Sequence, residues 1–206
     1  ASYEQKNLNL QLKQLKQDSE TISIKLELLR SGLNSHFMFN SLGTVKALLS
    51  KQDQKAREML SDLAQLYRYQ LKIEGESMVT LAEELKFTQT YVAVINIRMN
   101  GAFTMEIHDL ECYLNYRVVP VSLQVLVENC IKHNVASEQN PLVISISVQD
   151  RHIIVENELR PKITIVESNG KGLQNLNARC LILTNQACSF QKENGRFVAS
   201  IPLLTQ

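Results

Sequence analysis

Two groups of polar residues, far apart in the chain, carry the side chains that could do chemistry. The first is His36, in the stretch Ser31-Gly32-Leu33-Asn34-Ser35-His36-Phe37-Met38-Phe39-Asn40. A neutral imidazole, with an unperturbed pKa of about 6.5, is a competent nucleophile near neutral pH. The second is Glu128-Asn129 with Lys132 and His133, set into an apolar run that includes Val121, Leu123, Leu126, Val127 and Cys130. On a helix Glu128 and Lys132 are one turn apart, as are Asn129 and His133, so the four share one face. A Glu–Lys pair alone reads as an ordinary solvated ion pair. The neighbouring Asn alters that reading. Its amide can hold a hydrated Mg²⁺, and the adjacent carboxylate can act as a base or orient water. Further on, Ser168-Asn169-Gly170-Lys171-Gly172-Leu173 precedes a helix. Glycines there let backbone N–H groups approach a phosphate, and a helix N-terminus favours an anion. The spacing fits neither a Walker loop nor a dinucleotide fingerprint. The combined expectation is that the later elements hold a nucleotide and that His36 receives a group from it.

These side chains need elements to hold them. Residues 2–49 read as a long helical stretch without proline. Leu8, Leu12, Leu15, Ser19, Ile22, Leu26, Leu29 and Leu33 step alternately by four and three, a heptad seam that predicts a parallel dimeric coiled coil. Leu29, Leu33 and Phe37 then make two four-residue steps in a row, a stutter that unwinds the coil and turns His36 from the seam toward the flank. After the polar turn Ser50-Lys51-Gln52-Asp53, a second helix carries Ala56, Met59, Leu60, Leu63, Leu66, Tyr67 and Leu71, closed by Gly75. Two such helices form a hairpin, and two hairpins a four-helix bundle. Thr80-Leu81-Ala82-Glu83 is a capping box, opening a helix with the stripe Leu81, Leu85, Thr88, Val92, Ile95 and Met99.

Beyond Gly101 the pattern turns to mixed α and β. A strand is expected over 102–107 and a helix from Pro120 to about Ala136. A hairpin is expected over 142–155, turning at Gln149-Asp150-Arg151, and a helix near Gly172. The final hairpin turns at Glu193-Asn194-Gly195. The domain boundary falls near Gly75–Thr80.

The chain has 206 residues, 44% of them apolar, enough to bury a core. A net charge of +1 argues against a general nucleic-acid binder, which carries a basic excess. Cys112, Cys130, Cys180 and Cys188 form no CxxC pair, so zinc and a disulfide framework are not expected, and buried thiols in a reducing compartment are. No apolar run reaches the roughly 18 residues of a membrane span. The chain opens directly in a helical pattern, as a piece of a longer protein would.

Asn34-Ser35-His36-Phe37-Met38-Phe39-Asn40, Leu126-Val127-Glu128-Asn129-Cys130-Ile131-Lys132-His133-Asn134 and Asn169-Gly170-Lys171-Gly172-Leu173-Gln174-Asn175 together resemble the three signature boxes of the LytS-type sensor histidine kinases. Leu63-Ala64-Gln65-Leu66-Tyr67-Arg68-Tyr69, the capping box within Val79–Leu85, and Tyr91 belong to the same likeness, which runs from about residue 28 to the end. The resemblance implies an α+β chain in three parts. Residues 1–28 would be a signalling coiled-coil helix, 29–78 a dimerisation and phosphoacceptor hairpin, and 79–206 an ATP-binding α/β sandwich of the Bergerat type, shared with gyrase. It implies that His36 is the phosphoacceptor, that Asn129 coordinates Mg²⁺, and that Glu128 is the base or water-orienting group. Lys132, His133 and Asn134 would approach the phosphates of ATP, Asn157 the adenine. Gly170, Lys171, Gly172 and Leu173 would belong to the ATP lid. The implied partners are a second copy of the chain and the receiver domain of a response regulator, in this family often one with a LytTR DNA-binding domain. The implied location is the cytoplasmic portion of a bacterial inner-membrane sensor.

The sequence departs from the family in four places. Ser35 stands where a proline is usual before the acceptor histidine. Glu156-Asn157-Glu158-Leu159-Arg160 replaces an Asp-x-Gly-x-Gly, which removes a carboxylate. Arg179-Cys180 replaces an Arg-Leu pair, and Leu181–Gln186 lacks the familiar aromatic. These departures leave a second reading, a dimeric signalling scaffold with weak or no ATP turnover, and a third, an ATPase of the same fold without a histidine acceptor.

Overall fold

The computed structural model describes residues 35–50, 54–162 and 171–205. The coiled coil expected over 1–28, the broken heptad at Leu29 and Leu33, and the lid glycine Gly170 lie outside the described residues.

Two helices come first, α1 (Ser35–Ser50) and α2 (Lys55–Lys72). On α1, Phe37, Ser41 and Val45 recur every four residues and are buried. On α2, Ala56, Met59, Leu63 and Leu66 hold the three-and-four spacing of one helix face and are buried too. The helices pack on each other and both reach α3 (Leu81–Met99). Gly75 sits between α2 and α3 at φ +89°, a conformation that residues with a Cβ avoid. The expected boundary is a paired segment: β1 (Val79–Thr80) lies antiparallel to β3 (Arg117–Val118).

The capping box forms. The Thr80 hydroxyl accepts the Glu83 N–H at 3.3 Å, and the Glu83 carboxylate accepts the Thr80 N–H at 3.0 Å. Lys72, hydrogen-bonded to Glu83, and the Thr80 N–H hold the Glu83 carboxyl down at about 2. The burial of α3 corrects the single stripe expected for it. Glu84, Phe87, Tyr91 and Val94 are buried as well, whereas Met99 is exposed. The reason is that α3 has neighbours on two sides. The hairpin stacks Tyr69 on Phe87 (ring centroids 4.4 Å apart) and Phe37 on Tyr91 (5.2 Å), while the opposite side meets the rest of the fold.

A five-stranded sheet follows, in the order β2-β4-β5-β7-β6. Its strands are β2 (Phe103–Ile107), β4 (Leu142–Gln149), β5 (His152–Glu158), β6 (Ser189–Glu193) and β7 (Arg196–Pro202). β2 and β4 are parallel and the other neighbours antiparallel. A parallel pair needs a crossover, and this one carries α4 (Ser122–His133). Leu142, Ile144, Ile146, Ile153, Val155, Phe197, Ala199 and Ile201 alternate along the strands and are buried on one face. Helices α3, α4 and α5 (Lys171–Thr184) contact β2, β5 and β7 respectively, which gives an α+β fold of helices on a mixed sheet.

Three local expectations are corrected. The hairpin turns at 150–151 and 194–195 hold two residues, all at positive φ, as the twist of tight hairpins requires. The helix expected from Pro120 starts at Ser122, because Val121 takes φ +64°. A β-branched residue there is strained. Only Cys130 and Cys180 are buried thiols. Cys188 is half-buried and Cys112 exposed, and all four are free.

Candidate active site

Helix α4 turns Leu123, Leu126, Val127 and Cys130 fully into the core. Glu128, Asn129, Lys132 and His133 emerge as a half-buried group on its other side. Burial raises the Glu128 carboxyl above its ordinary range, and Lys132 opposes the shift. Tyr91 of α3 lies within the field of Glu128. Burial first, and then the Glu128 charge, push its hydroxyl up, so it stays a phenol. Its ring stacks on Phe37 at 5.2 Å and 28°. Phe37 directly follows His36, which lies in the first turn of α1. Tyr91 thus packs against the segment expected to carry the nucleophile and lies in the field of the residue expected to be the base.

The C-terminal end of α4 is cationic. Lys162 Nζ donates to the carbonyls of Ile131 and Lys132, each at 3.0 Å, where the helix dipole favours a positive charge. Burial, then the charges of Lys132, Lys192 and Lys162, lower the His133 pKa, so its ring is neutral at pH 7. Lys162 and Lys192 had no place in the sequence reading of this site.

Asn134 departs from its expected place beside phosphates. It is buried, its Nδ2 donates to the Cys130 carbonyl at 2.8 Å, and its Oδ1 accepts the Arg160 N–H at 2.7 Å. That amide clasps the end of α4 to the segment after β5. Asn157 lies on the buried face of β5, in series with Ile153 and Val155. Its Nδ2 donates to the Glu158 carbonyl, and its Oδ1 is buried without a partner among the described residues. Lys171, Gly172 and Leu173 open α5, and a Cβ on Gly172 would meet Val125 of α4 at 3.9 Å. Val125 is one turn before Glu128 and Asn129, so the start of α5 borders the polar face.

Among the described residues no three His, Cys, Asp or Glu side chains converge on a metal-sized site, and no helix is long and apolar enough to cross a membrane.

The histidine kinase family profile matches residues 24–103, which covers α1 to α3. The chain is 30% identical over 188 residues to the sensor protein LytS of Oceanobacillus iheyensis, covering 82% of this chain and 32% of that protein. It is 33% identical over 149 residues to the sensor histidine kinase/phosphatase LytS of Staphylococcus aureus, covering 72% of this chain and 24% of that one. The chain is related to the LytS sensor histidine kinases. It spans about a third or less of the length of those relatives. Among solved structures, the catalytic domain of the histidine kinase ThkA aligns with a TM-score of 0.43 at 18% identity, over 63% of this chain and 97% of that chain.

Beside these residues, one stands out that sequence reading passed over. Glu84 is fully buried. Its carboxylate accepts the Val121 N–H at 2.7 Å, the Leu123 N–H at 3.2 Å and the Tyr69 hydroxyl at 2.7 Å. The first two bonds hold Val121 in its strained conformation and cap the start of α4. Burial raises the Glu84 pKa, while Tyr69, the two N–H groups and Arg179 pull it down. Glu84→Ala leaves two buried N–H donors and the part-buried Tyr69 hydroxyl without an acceptor, each buried donor costing roughly 1–3 kcal/mol. The expected result is a loss of about 3 kcal/mol or more, seen as a fall in Tm of about 10 °C in calorimetric melting. An unchanged Tm would mean that these bonds carry little of the fold's stability.

Proposed function

We propose that this chain is the kinase core of a sensor histidine kinase of a two-component system. It is a protein-histidine kinase: His36 takes the terminal phosphoryl group of ATP and then gives it to an aspartate on a response regulator, here expected to be one with a LytTR DNA-binding domain. The observation that carries this reading is the stack of Phe37, next to His36, on Tyr91, whose hydroxyl lies in the field of Glu128.

Phosphoryl transfer asks for in-line placement and charge neutralisation more than for covalent help. The imidazole nitrogen of His36 attacks phosphorus, the bond to the bridging oxygen breaks, and ADP leaves. Glu128 takes the imidazole proton, a role that a carboxyl raised toward neutrality performs well. Asn129 would hold Mg²⁺, which would supply charge neutralisation at the phosphates when bound. Lys132 and the neutral His133, with Lys162 and Lys192 nearby, form a cationic surround for phosphates. Gly170, Lys171, Gly172 and Leu173 would form the lid edge. The orphaned Oδ1 of Asn157 fits the exocyclic amine of adenine, because a buried acceptor without a partner is costly until a donor arrives.

The architecture in this reading is a Bergerat-type sandwich over 79–206, a phosphoacceptor hairpin over 29–78 and a signalling coiled coil over 1–28. Phe39, Leu42 and Leu49 on α1, with Leu60, Tyr67 and Leu71 on α2, are exposed apolar residues. A second copy would cover them in a four-helix bundle. The core would work on the cytoplasmic side of a bacterial inner membrane, within a longer sensor.

The loss of the family carboxylate at Asn157 favours a second reading, a dimeric scaffold that binds nucleotide weakly and turns little over. Calorimetric titration with Mg-ATP separates the two. The kinase reading predicts saturable binding, weakened about tenfold by Asn157→Leu, the worth of one buried hydrogen bond. It also predicts tighter binding by Asn157→Asp, which restores the carboxylate. Absent binding with no acid-labile phosphate would support the scaffold.

A further inference from the structure

Glu84 is a buried carboxylate that the proposed transfer does not use, yet several elements converge on it. Tyr69 reaches it from α2, and the N–H groups of Val121 and Leu123 reach it from the start of α4. Arg179 of α5 lies in its field and donates to the carbonyl of Pro120, the residue before Val121. The hairpin, the helix that bears Glu128 and Asn129, and the helix that follows the lid therefore share one anchor.

The Tyr69 ring has its own support in the stack on Phe87, at 4.4 Å and 27°. Packing thus holds the ring, and the hydroxyl is left for a separate task. That hydroxyl donates to the same carboxylate oxygen that accepts the Val121 N–H. A displacement of α2 against α3 would strain the one bond and disturb the other. Val121 at φ +64° has no intrinsic preference for its conformation, so the start of α4 follows what Glu84 can hold.

We infer that the Tyr69–Glu84 hydrogen bond is a positioning device for phosphoryl transfer. It sets the hairpin that bears His36 in register with the helix that bears Glu128 and Asn129. The inference rests on the kinase reading above. Tyr69 and Glu84 touch no reacting atom and act only through the elements they join. A movement of the hairpin then reaches the ATP-binding part as a change in the capping of α4, a route by which the helices could regulate the catalytic face.

Tyr69→Phe in the full chain is the test, because it removes one oxygen and keeps the ring. The expected result is an initial rate of His36 labelling at saturating Mg-ATP about tenfold lower, the worth of one hydrogen bond. KM for ATP and calorimetric ATP affinity stay within about twofold of the parent. A merely structural role would lower affinity and rate together, in proportion to the folded fraction. In a Glu84→Gln background, which keeps size and one acceptor oxygen, Tyr69→Phe should cost little more. Wild-type labelling by Tyr69→Phe, or the same tenfold loss in both backgrounds, overturns the inference. A parent chain that binds ATP but never labels His36 overturns the kinase reading, and the inference with it.

Discussion

A His36→Gln variant takes up no acid-labile phosphate from Mg-ATP, while its fold and its nucleotide affinity stay at parental values. The amide of Gln has no nucleophilic nitrogen at neutral pH, so labelling falls to background. His36 is the second residue of α1, and the buried anchor beside it is Phe37. The substitution leaves Phe37 and its stack on Tyr91 in place. Labelling, melting and nucleotide titration of the same preparation check all parts of this expectation. ATP hydrolysis that persists undiminished in the variant would point to an ATPase with no histidine acceptor.

Glu128→Gln is expected to cost the transfer step about 10²–10⁴-fold, the range for loss of a positioned general base. The environment of Glu128 adds a pH signature. Burial raises its folded pKa above the unfolded value, and Lys132 only partly offsets this. The base is competent once ionised, so the labelling rate of the parent rises with pH through a window above the ordinary carboxylate range. In Glu128→Gln that limb disappears. The effect on stability has the opposite sense. With a raised folded pKa, the stability contributed by Glu128 is fully present below the unfolded pKa, about 4.3, and is lost as pH rises through the folded value. Above that folded value the ionised Glu128 therefore costs the fold free energy, and there Glu128→Gln melts no lower than the parent. A slow but fully stable variant would separate chemistry from folding. A variant that is destabilised yet transfers phosphate at the parental rate would make Glu128 a structural residue.

The regular elements were legible in the chain because their signals are local. The capping box at Thr80–Glu83, the alternation in β4 and β5, and the turn at Asn194-Gly195 each depend on residues within a few positions of one another. The residues that join these elements were not legible, because their partners are distant. Glu84 falls outside the apolar stripe of its helix, and its backbone partners stand 37 and 39 positions downstream. Val121 looked like the second residue of a helix that Pro120 would open, and only the carboxylate of Glu84 explains why the helix starts later. Asn134 belonged to a box that predicts phosphate contact, yet its amide is taken up by Cys130 and Arg160. Tyr91 carried a resemblance but no role until Phe37 was found stacked on it. The extra burial on α3 was hidden for the same reason: a single-stripe reading supposes one neighbour, and α3 has two.

The polar face is legible as a group, since helical spacing alone puts Glu128, Asn129, Lys132 and His133 on one side of α4. Its cationic surround was not, because Lys162 and Lys192 come from segments that only the tertiary fold brings near His133.

The central claim is that phosphate arrives on His36. The direct measurement is phosphopeptide mapping of the full chain after incubation with labelled Mg-ATP, under alkaline conditions that preserve phosphohistidine. The account predicts a single acid-labile label on the peptide that contains His36. Label on any other residue, or none on a chain shown by titration to bind ATP, would contradict it.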